Sequence, residues 1–269
     1  MTSELRVLMF GDVIGRLGRR AVAFALPSLK KKYKVDFTIA NVENLAHGKG
    51  ITPATLEELL QAGVDFGTSG NHIWAKPDVY TMFEDTKIPV LRPVNYPPMV
   101  NGKGHALVKV GDYQLLIVNV MGRVFMFQDC DDPFRAIDAV LEQCKNTELA
   151  GVIVDIHAEA TSEKVAFGLY LDGRVSAVLG THTHVPTADG EILPGGTACL
   201  SDIGMVGGQG TVIGVIKDAP IRGFLTQQPQ AWDFPETGPC WVNAVCVTIN
   251  TKSGQATKIQ QIRELVEVV

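Results

Sequence analysis

Residues 177–184, Ala-Val-Leu-Gly-Thr-His-Thr-His, carry a short apolar run that breaks into two histidines, His182 and His184. Read as the end of a strand, the run puts both imidazoles on one side, because residues i and i+2 of an extended chain point the same way. Such a pair can hold one metal ion or reach into two. Alone, H-x-H is a weak signal, and a polar turn accounts for it about as well. Four other apolar runs end in the same manner. Residues 7–10 enter Gly11-Asp12, residues 37–40 enter Asn41-Val42-Glu43-Asn44, residues 66–69 enter Gly70-Asn71-His72, and residues 152–156 enter His157. In an open α/β sheet, ligands bind in the crevice beyond the carboxyl ends of the strands. If the runs are strands of one sheet, one crevice collects Asp12, Glu43, Asn44, Asn71, His72, His157, His182 and His184. That set exceeds what one ion needs and suits two. Of the six histidines, only His47 and His105 fall outside it.

The first half of the chain alternates strand and helix patterns. Residues 16–33 carry an apolar stripe at helical spacing (Ala21, Val22, Ala25, Leu26, Leu29), and Lys30, Lys31 and Lys32 suit a helix C-terminus. Pro27 is expected to kink this helix or end it early. Thr52-Pro53 reads as an N-cap followed by proline at the first helical position, with closure at Gly63. A short helix is predicted over 77–83. The alternation implies a largely parallel sheet with helices outside. In the middle, 105–110 and 114–120 flank Gly111-Asp112, a hairpin signal. Helices are predicted from Asp132-Pro133 to Cys144 and over 162–171. Residues 241–250 and 256–262 read as antiparallel strands around Ser253-Gly254. The prediction is one α/β domain over residues 1–269, layered α/β/β/α. Residues 193–239, where Gly and Pro are frequent, are the least readable and are expected to hold an insertion or an oligomer contact.

At 269 residues the chain can bury roughly three quarters of its unfolded surface. With 46% apolar and 20% charged residues it is ordinary for a globular protein. A net charge of −5 and a pI near 5.7 argue against a stable nucleic-acid partner, which usually needs a basic face. The five cysteines form no C-x-x-C pair and read as reduced, packed thiols of a cytoplasmic protein. No signal peptide opens the sequence, and no apolar stretch approaches the ~18 residues of a membrane span.

Each polar strand end has competing readings. Asp12 lies among Gly11, Gly15 and Gly18, but the spacing is not the dinucleotide fingerprint, and a metal-binding acid fits better. Glu43 supplies a carboxylate able to bridge two cations, with the amide oxygen of Asn44 beside it. Adjacent side chains of an extended chain point opposite ways, so if Asn71 holds a metal, His72 faces the substrate and is free to act as a general acid. His157 ends a fully apolar strand, where a packed core histidine is the alternative. Oxygen and nitrogen donors without thiolate point to Mn, Fe, Zn or a mixed pair. Two such ions can share a hydroxide and clamp a phosphoryl group in line. No G-x-S-x-G elbow occurs, which disfavours a serine hydrolase. A metal-dependent amidohydrolase is disfavoured because its H-x-H sits early in the chain. A binding protein with little turnover and a phosphomonoesterase on the same scaffold are the remaining alternatives.

Gly11-Asp12, Gly70-Asn71-His72, His157 and Gly180-Thr181-His182-Thr183-His184 resemble the motifs of the calcineurin-like metallophosphoesterases. Three departures mark one branch: Ile14 stands two after Asp12 in place of histidine, Val42-Glu43-Asn44 replaces G-D-x-x-D, and Ile73 rather than an acid follows His72. Together with residues 122–126 (Gly-Arg-Val-Phe-Met), 157–164 and 180–189, they make the chain similar to the YmdB-like phosphodiesterases. The resemblance implies a four-layer metallophosphoesterase sandwich and a cytoplasmic homo-oligomer, a dimer or tetramer. It implies a centre of two divalent or trivalent ions, usually iron, acting on 2′,3′-cyclic nucleotides. Carried over, Asp12, Glu43, Asn44 and His184 hold one ion, and Glu43, Asn71, His157 and His182 the other. His72 protonates the leaving oxygen as a bridging hydroxide attacks. Arg123 is a weaker candidate for a phosphate contact.

Overall fold

The protein is described from a computed structural model over residues 4–269; the first three residues, part of the stretch read as lacking a signal peptide, lie outside the described residues. In chain order the elements are β1 (Glu4–Val13), α1 (Gly15–Tyr33), β2 (Phe37–Asn41), α2 (Pro53–Gln61), β3 (Phe66–Thr68), α3 (Asp78–Met82), β4 (His105–Val110), β5 (Tyr113–Met121) and α4 (Pro133–Cys144). There follow β6 (Gly151–His157), α5 (Thr161–Tyr170), β7 (Ala177–Thr181), β8 (Glu191–Ile192), β9 (Ala198–Leu200), β10 (Met205–Gly208), α6 (Asp218–Thr226), β11 (Gly238–Asn250) and β12 (Ala256–Val268).

The strands form two sheets ordered β12-β11-β10-β1-β2-β3 and β4-β5-β6-β7-β9-β8. The centre of each is parallel, as βαβ crossovers require. Alternation along the strands builds the layers. In β1, Leu8 and Phe10 pack against α1 and α2, while Leu5, Val7 and Met9 face the other sheet. In β6, Val152, Val154 and Ile156 pack under α4 and α5, while Ile153 faces inward. Three apolar layers therefore separate four layers of elements, the α/β/β/α sandwich.

Caps follow the sequence. Thr52 closes a capping box with Thr55 and precedes Pro53 at the start of α2. Asp132 accepts from the Phe134 and Arg135 N–H groups at the start of α4. Pro27 departs from expectation, since α1 runs through it to Tyr33. Proline inside a helix costs about 3 kcal/mol. Leu17, Val22, Leu26 and Leu29 are buried on the opposite face and together contribute roughly 6–12 kcal/mol. The residue whose carbonyl loses its donor, Ala23, is exposed to water. Within residues 193–239, β9 and β10 each join one of the two sheets, and Trp232 and Phe234 reach the cleft described next.

Candidate metal centre and its cleft

The five polar strand ends do meet, but across two sheets rather than within one. Inward positions switch from apolar to polar near the carboxyl ends. Phe37 and Ile39 give way to Asn41, Leu115 and Ile117 to Asn119, Ile153 to Asp155 and His157, and Ala177 and Leu179 to Thr181. These polar residues bind one another across the sandwich. The Asn41 amide donates to Asp155 (3.2 Å), and the Thr68 and Thr181 hydroxyls donate to the two Asp155 oxygens (2.5 and 2.7 Å). Since Thr181 donates to Asp155, its oxygen accepts from His157 Nδ1 (2.9 Å). That fixes the tautomer and leaves His157 Nε2 for the cleft floor.

Around His157 Nε2 stand Asn71 Oδ1 at 2.9 Å, His182 Nδ1 at 3.1 Å and Glu43 Oε1 at 3.3 Å. Glu43, His157 and His182 offer ligand atoms that all lie within 4.8 Å of one another. His157 can approach so closely only because residue 70 is glycine: a Cβ there would lie 2.1 Å from the imidazole. The electrostatics are those of a cation site. Burial pushes the Glu43 carboxyl up, but His157 and His72 outweigh it and hold it well below the ordinary range. Burial pushes His157 down, the Glu43 carboxylate outweighs it, and the imidazole rises to about 9. Burial, then the charge of His157, pushes His182 down to about 3. At neutral pH His157 thus carries a proton on Nε2 as well as on Nδ1, and the Nε2 proton stands among three ligand-type atoms, where a metal ion would fit in its place.

A second group lies alongside. Asp12 Oδ2 accepts the His182 N–H (3.0 Å), while Oδ1 is buried without a hydrogen-bond partner among the described residues, 3.8 Å from His184 Nε2. Burial raises the Asp12 pKa, with His184 and His157 pulling against it. His184 Nδ1 donates to the Ile213 carbonyl (2.9 Å), which leaves Nε2 toward Asp12. A buried, unsatisfied carboxylate oxygen facing an imidazole nitrogen fits a cation.

The two histidines part because they are not extended. Strand β7 stops at Thr181, and His182 (φ 101°) and His184 (φ 66°) are both left-handed. The extended, same-side reading of residues 182–184 fails for that reason; of the two arrangements open to the pair, the structure has His182 beside His157 and His184 beside Asp12. The turn is held by Asp202, which accepts from the Thr183 N–H (3.1 Å), the Thr183 hydroxyl (2.7 Å), the Gly204 N–H (2.8 Å) and the buried Lys164 ammonium (2.7 Å).

Asn71 and His72 lie in a turn rather than in an extended strand, so the alternation read from the sequence does not apply to them; Asn71 Oδ1 reaches His157 while His72 reaches Glu43 and Asn44. His72 Nδ1 lies 2.9 Å from Asn44 Oδ1 and 3.3 Å from Glu43 Oε1, and its N–H donates to Glu43 Oε2. Asn44 is therefore joined to His72 as well as adjacent to Glu43. Arg123 is not brought to the cleft: its guanidinium pairs with Asp132 (2.8 Å), and its N–H donates to Glu163. Sequence reading missed Asp155, Thr181, Lys164 and Asp202 as supports. A signal existed for two of them. Asp155 is the one charge in a buried run, and Ala198-Cys199-Leu200-Ser201-Asp202 is a sixth apolar run ending in polar residues.

Asn44, Asn71, His72, His182 and His184 line a cleft of about 560 Å³, and Asp12, Glu43 and His157 are buried against them. Residues 8–262 match the model of the YmdB-like protein family. The chain is 43% identical over 259 residues to the 2′,3′-cyclic-nucleotide 2′-phosphodiesterase of Bacillus subtilis, covering 96% of each. A crystal structure of a hypothetical protein from Thermus thermophilus is 44% identical with a TM-score of 0.89, over 97% of this chain and 99% of that one. A novel phosphatase of Mycoplasma pneumoniae is 32% identical with a TM-score of 0.91, over 100% of this chain and 96% of that one. By fold, by its matched residues and by these likenesses, the chain belongs to the YmdB-like family.

Proposed function

We propose that this protein is a metal-dependent phosphodiesterase that hydrolyses small phosphodiesters, 2′,3′-cyclic nucleotides in particular, at a centre of two ions. The ions are iron, or alternatively manganese or a mixed pair. The observation that carries the reading is the convergence of oxygen and nitrogen donors on one cleft floor, with Asp12 Oδ1 unsatisfied and His157 Nε2 ringed by Asn71, Glu43 and His182. The name of the Bacillus relative supports the substrate class. Asp12, Glu43, Asn44 and His184 hold one ion, and Glu43, Asn71, His157 and His182 the other. Bound there, the ions supply Lewis acidity toward the phosphoryl oxygens and a nucleophile at neutral pH.

The chain's own residues do the rest. Thr181 and Asp155 orient His157, and the Ile213 carbonyl orients His184. His72 commits Nδ1 to Asn44 and Glu43, so Nε2 is the atom left to hold a proton and pass it to the leaving oxygen. The enzyme acts in the cytoplasm as a homo-oligomer, a dimer or tetramer, with no stable nucleic-acid partner. No helix among the described residues is long and apolar enough to cross a membrane.

The test is the metal content of anaerobically purified protein together with hydrolysis of 2′,3′-cyclic AMP. About two metals per chain and metal-dependent cleavage are expected, as two-ion phosphoryl chemistry requires. One metal or none, with no turnover after Mn or Fe is added, refutes the reading. His72→Ala should lower kcat roughly 10²–10⁴-fold with the metals retained; loss of metal instead refutes the role given to His72.

A further inference from the structure

The cleft above the donor set has two aromatic walls that phosphoryl chemistry alone does not need. One is the loop after β5, where Phe125 and Phe127 are 83% and 97% exposed. The other is the chain before β11, where Trp232 and Phe234 stand. All four line the same cleft of about 560 Å³, within the rough 300–1,000 Å³ range of small-molecule sites. Large rings left in water at the mouth of a site mark a ligand contact.

Neither wall is loosely attached. The Arg123 and Val124 N–H groups donate to the Glu163 carboxylate (2.9 and 3.1 Å), and Phe125 is held left-handed at φ 62°. The Gln128 amide donates to the carbonyl of Asn71, a residue of the donor set (3.4 Å). Opposite, the Phe234 ring is seated on Gly48: a Cβ there would lie 2.0 Å from its Cζ. Phe234 stands edge-on to His47 (5.4 Å), and Glu236 pairs with Arg16 (2.9 Å). The Lys49 ammonium lies 5.4 Å from the Trp232 ring, a cation at the mouth of an otherwise apolar wall.

We propose that these walls clamp the base of a nucleotide whose phosphate lies on the donor set, with Phe127 and Trp232 as the specificity-determining residues. The proposal rests on the phosphodiesterase reading above and deepens it. The walls are built from aromatic rings, and stacking on a ring is a contact that every base can make. The clamp therefore accepts all bases and holds purines harder, because they stack over a larger area.

The test compares kcat/KM for 2′,3′-cyclic AMP with that for the 2′,3′-cyclic phosphate of 1-O-methylribose, followed by phosphorus NMR, in metal-loaded wild type, Phe127→Ala and Trp232→Ala. Both side chains are exposed, so truncation spares the core. Removal of one stacking ring should cut the preference for the nucleotide roughly 5- to 100-fold. An unchanged preference in both variants overturns the clamp. An oligomer lost in sedimentation velocity with the preference unchanged overturns it too, in favour of a contact between copies of the chain. Calorimetry separates the clamp from the chemistry. Wild type is expected to bind adenosine 3′-monophosphate at least roughly tenfold more tightly than 1-O-methylribose 3-phosphate, and equal affinity overturns the clamp. Retained discrimination with neither diester turned over refutes the phosphodiesterase reading and leaves the clamp standing.

Discussion

Replacing Asp202 with asparagine tests how the two cleft histidines of residues 182–184 are held in place. Asp202 is 1% and Lys164 4% exposed, and their charges meet at 2.7 Å. The same carboxylate takes three further hydrogen bonds from Thr183 and Gly204. These contacts offset the cost of two left-handed histidines, about 1–3 kcal/mol each. An amide at position 202 leaves the Lys164 ammonium buried without a counter-charge. Breaking a buried pair from one side costs about 3–5 kcal/mol. For a chain of this size each kcal/mol lowers Tm by roughly 2–4 °C, so unfolding of metal-free Asp202→Asn is expected roughly 6–20 °C below wild type. The assay is thermal and guanidinium unfolding, completed as a cycle with Lys164→Met. The double variant should recover about 2 kcal/mol or more relative to the summed single losses, because the stranded ammonium leaves with its partner. Simple additivity, or a loss below about 1 kcal/mol in Asp202→Asn, would refute the account.

Metal loading should fall in acid. His157 holds its proton up to pH about 9 in the folded, metal-free protein, so below that pH each unit weakens the apparent affinity about tenfold. Calorimetry in two buffers should show about one proton released at pH 7 on filling the site that contains His157; a pH-independent affinity contradicts this. The raised pKa also means that the stabilisation from the His157–Glu43 pair is complete below the unfolded histidine value of about 6.5 and is lost as pH rises through about 9. Thr181→Val cuts the link between His157 Nδ1 and Asp155. It should weaken metal binding roughly 10- to 100-fold, with rescue by Thr181→Ser; unchanged affinity removes Thr181 from its positioning role. Gly70→Ala drives a Cβ into the His157 ring and should cost about 1–3 kcal/mol in guanidinium unfolding while displacing that ligand. A variant with wild-type stability and metal content shows that the strand ends can move apart freely.

Much of the fold was legible because its signals are local. The Thr52-Pro53 cap, the Asp132-Pro133 start and the Gly111-Asp112 hairpin each depend on a few neighbouring residues, and all three stand as read. Pro27 was misread because the local penalty is smaller than the tertiary burial of the opposite helix face. The long strands β11 and β12 extend beyond the stretches recognised in sequence, since pairing through Gly238–Val268 continues where the alternation weakens. Within residues 193–239, read as the least legible stretch, helix α6 was not anticipated, and the chain before β11 takes its order from seating on other parts of the molecule, such as Phe234 on Gly48 and Glu236 on Arg16.

By itself the sequence determined the types of element and which polar residues end the strands, because periodicity, caps and breakers act over a few residues. It did not determine that those ends belong to two facing sheets. Asn41 and Asp155, 114 positions apart, share a hydrogen bond only because burying the inward apolar faces brings the sheets together. Tertiary structure alone also decided the tautomer of His157, the left-handed turn that sends His182 and His184 to different partners, and the aromatic walls over the cleft. Each of these depends on atoms supplied by distant strands and loops, and no short stretch of chain contains them.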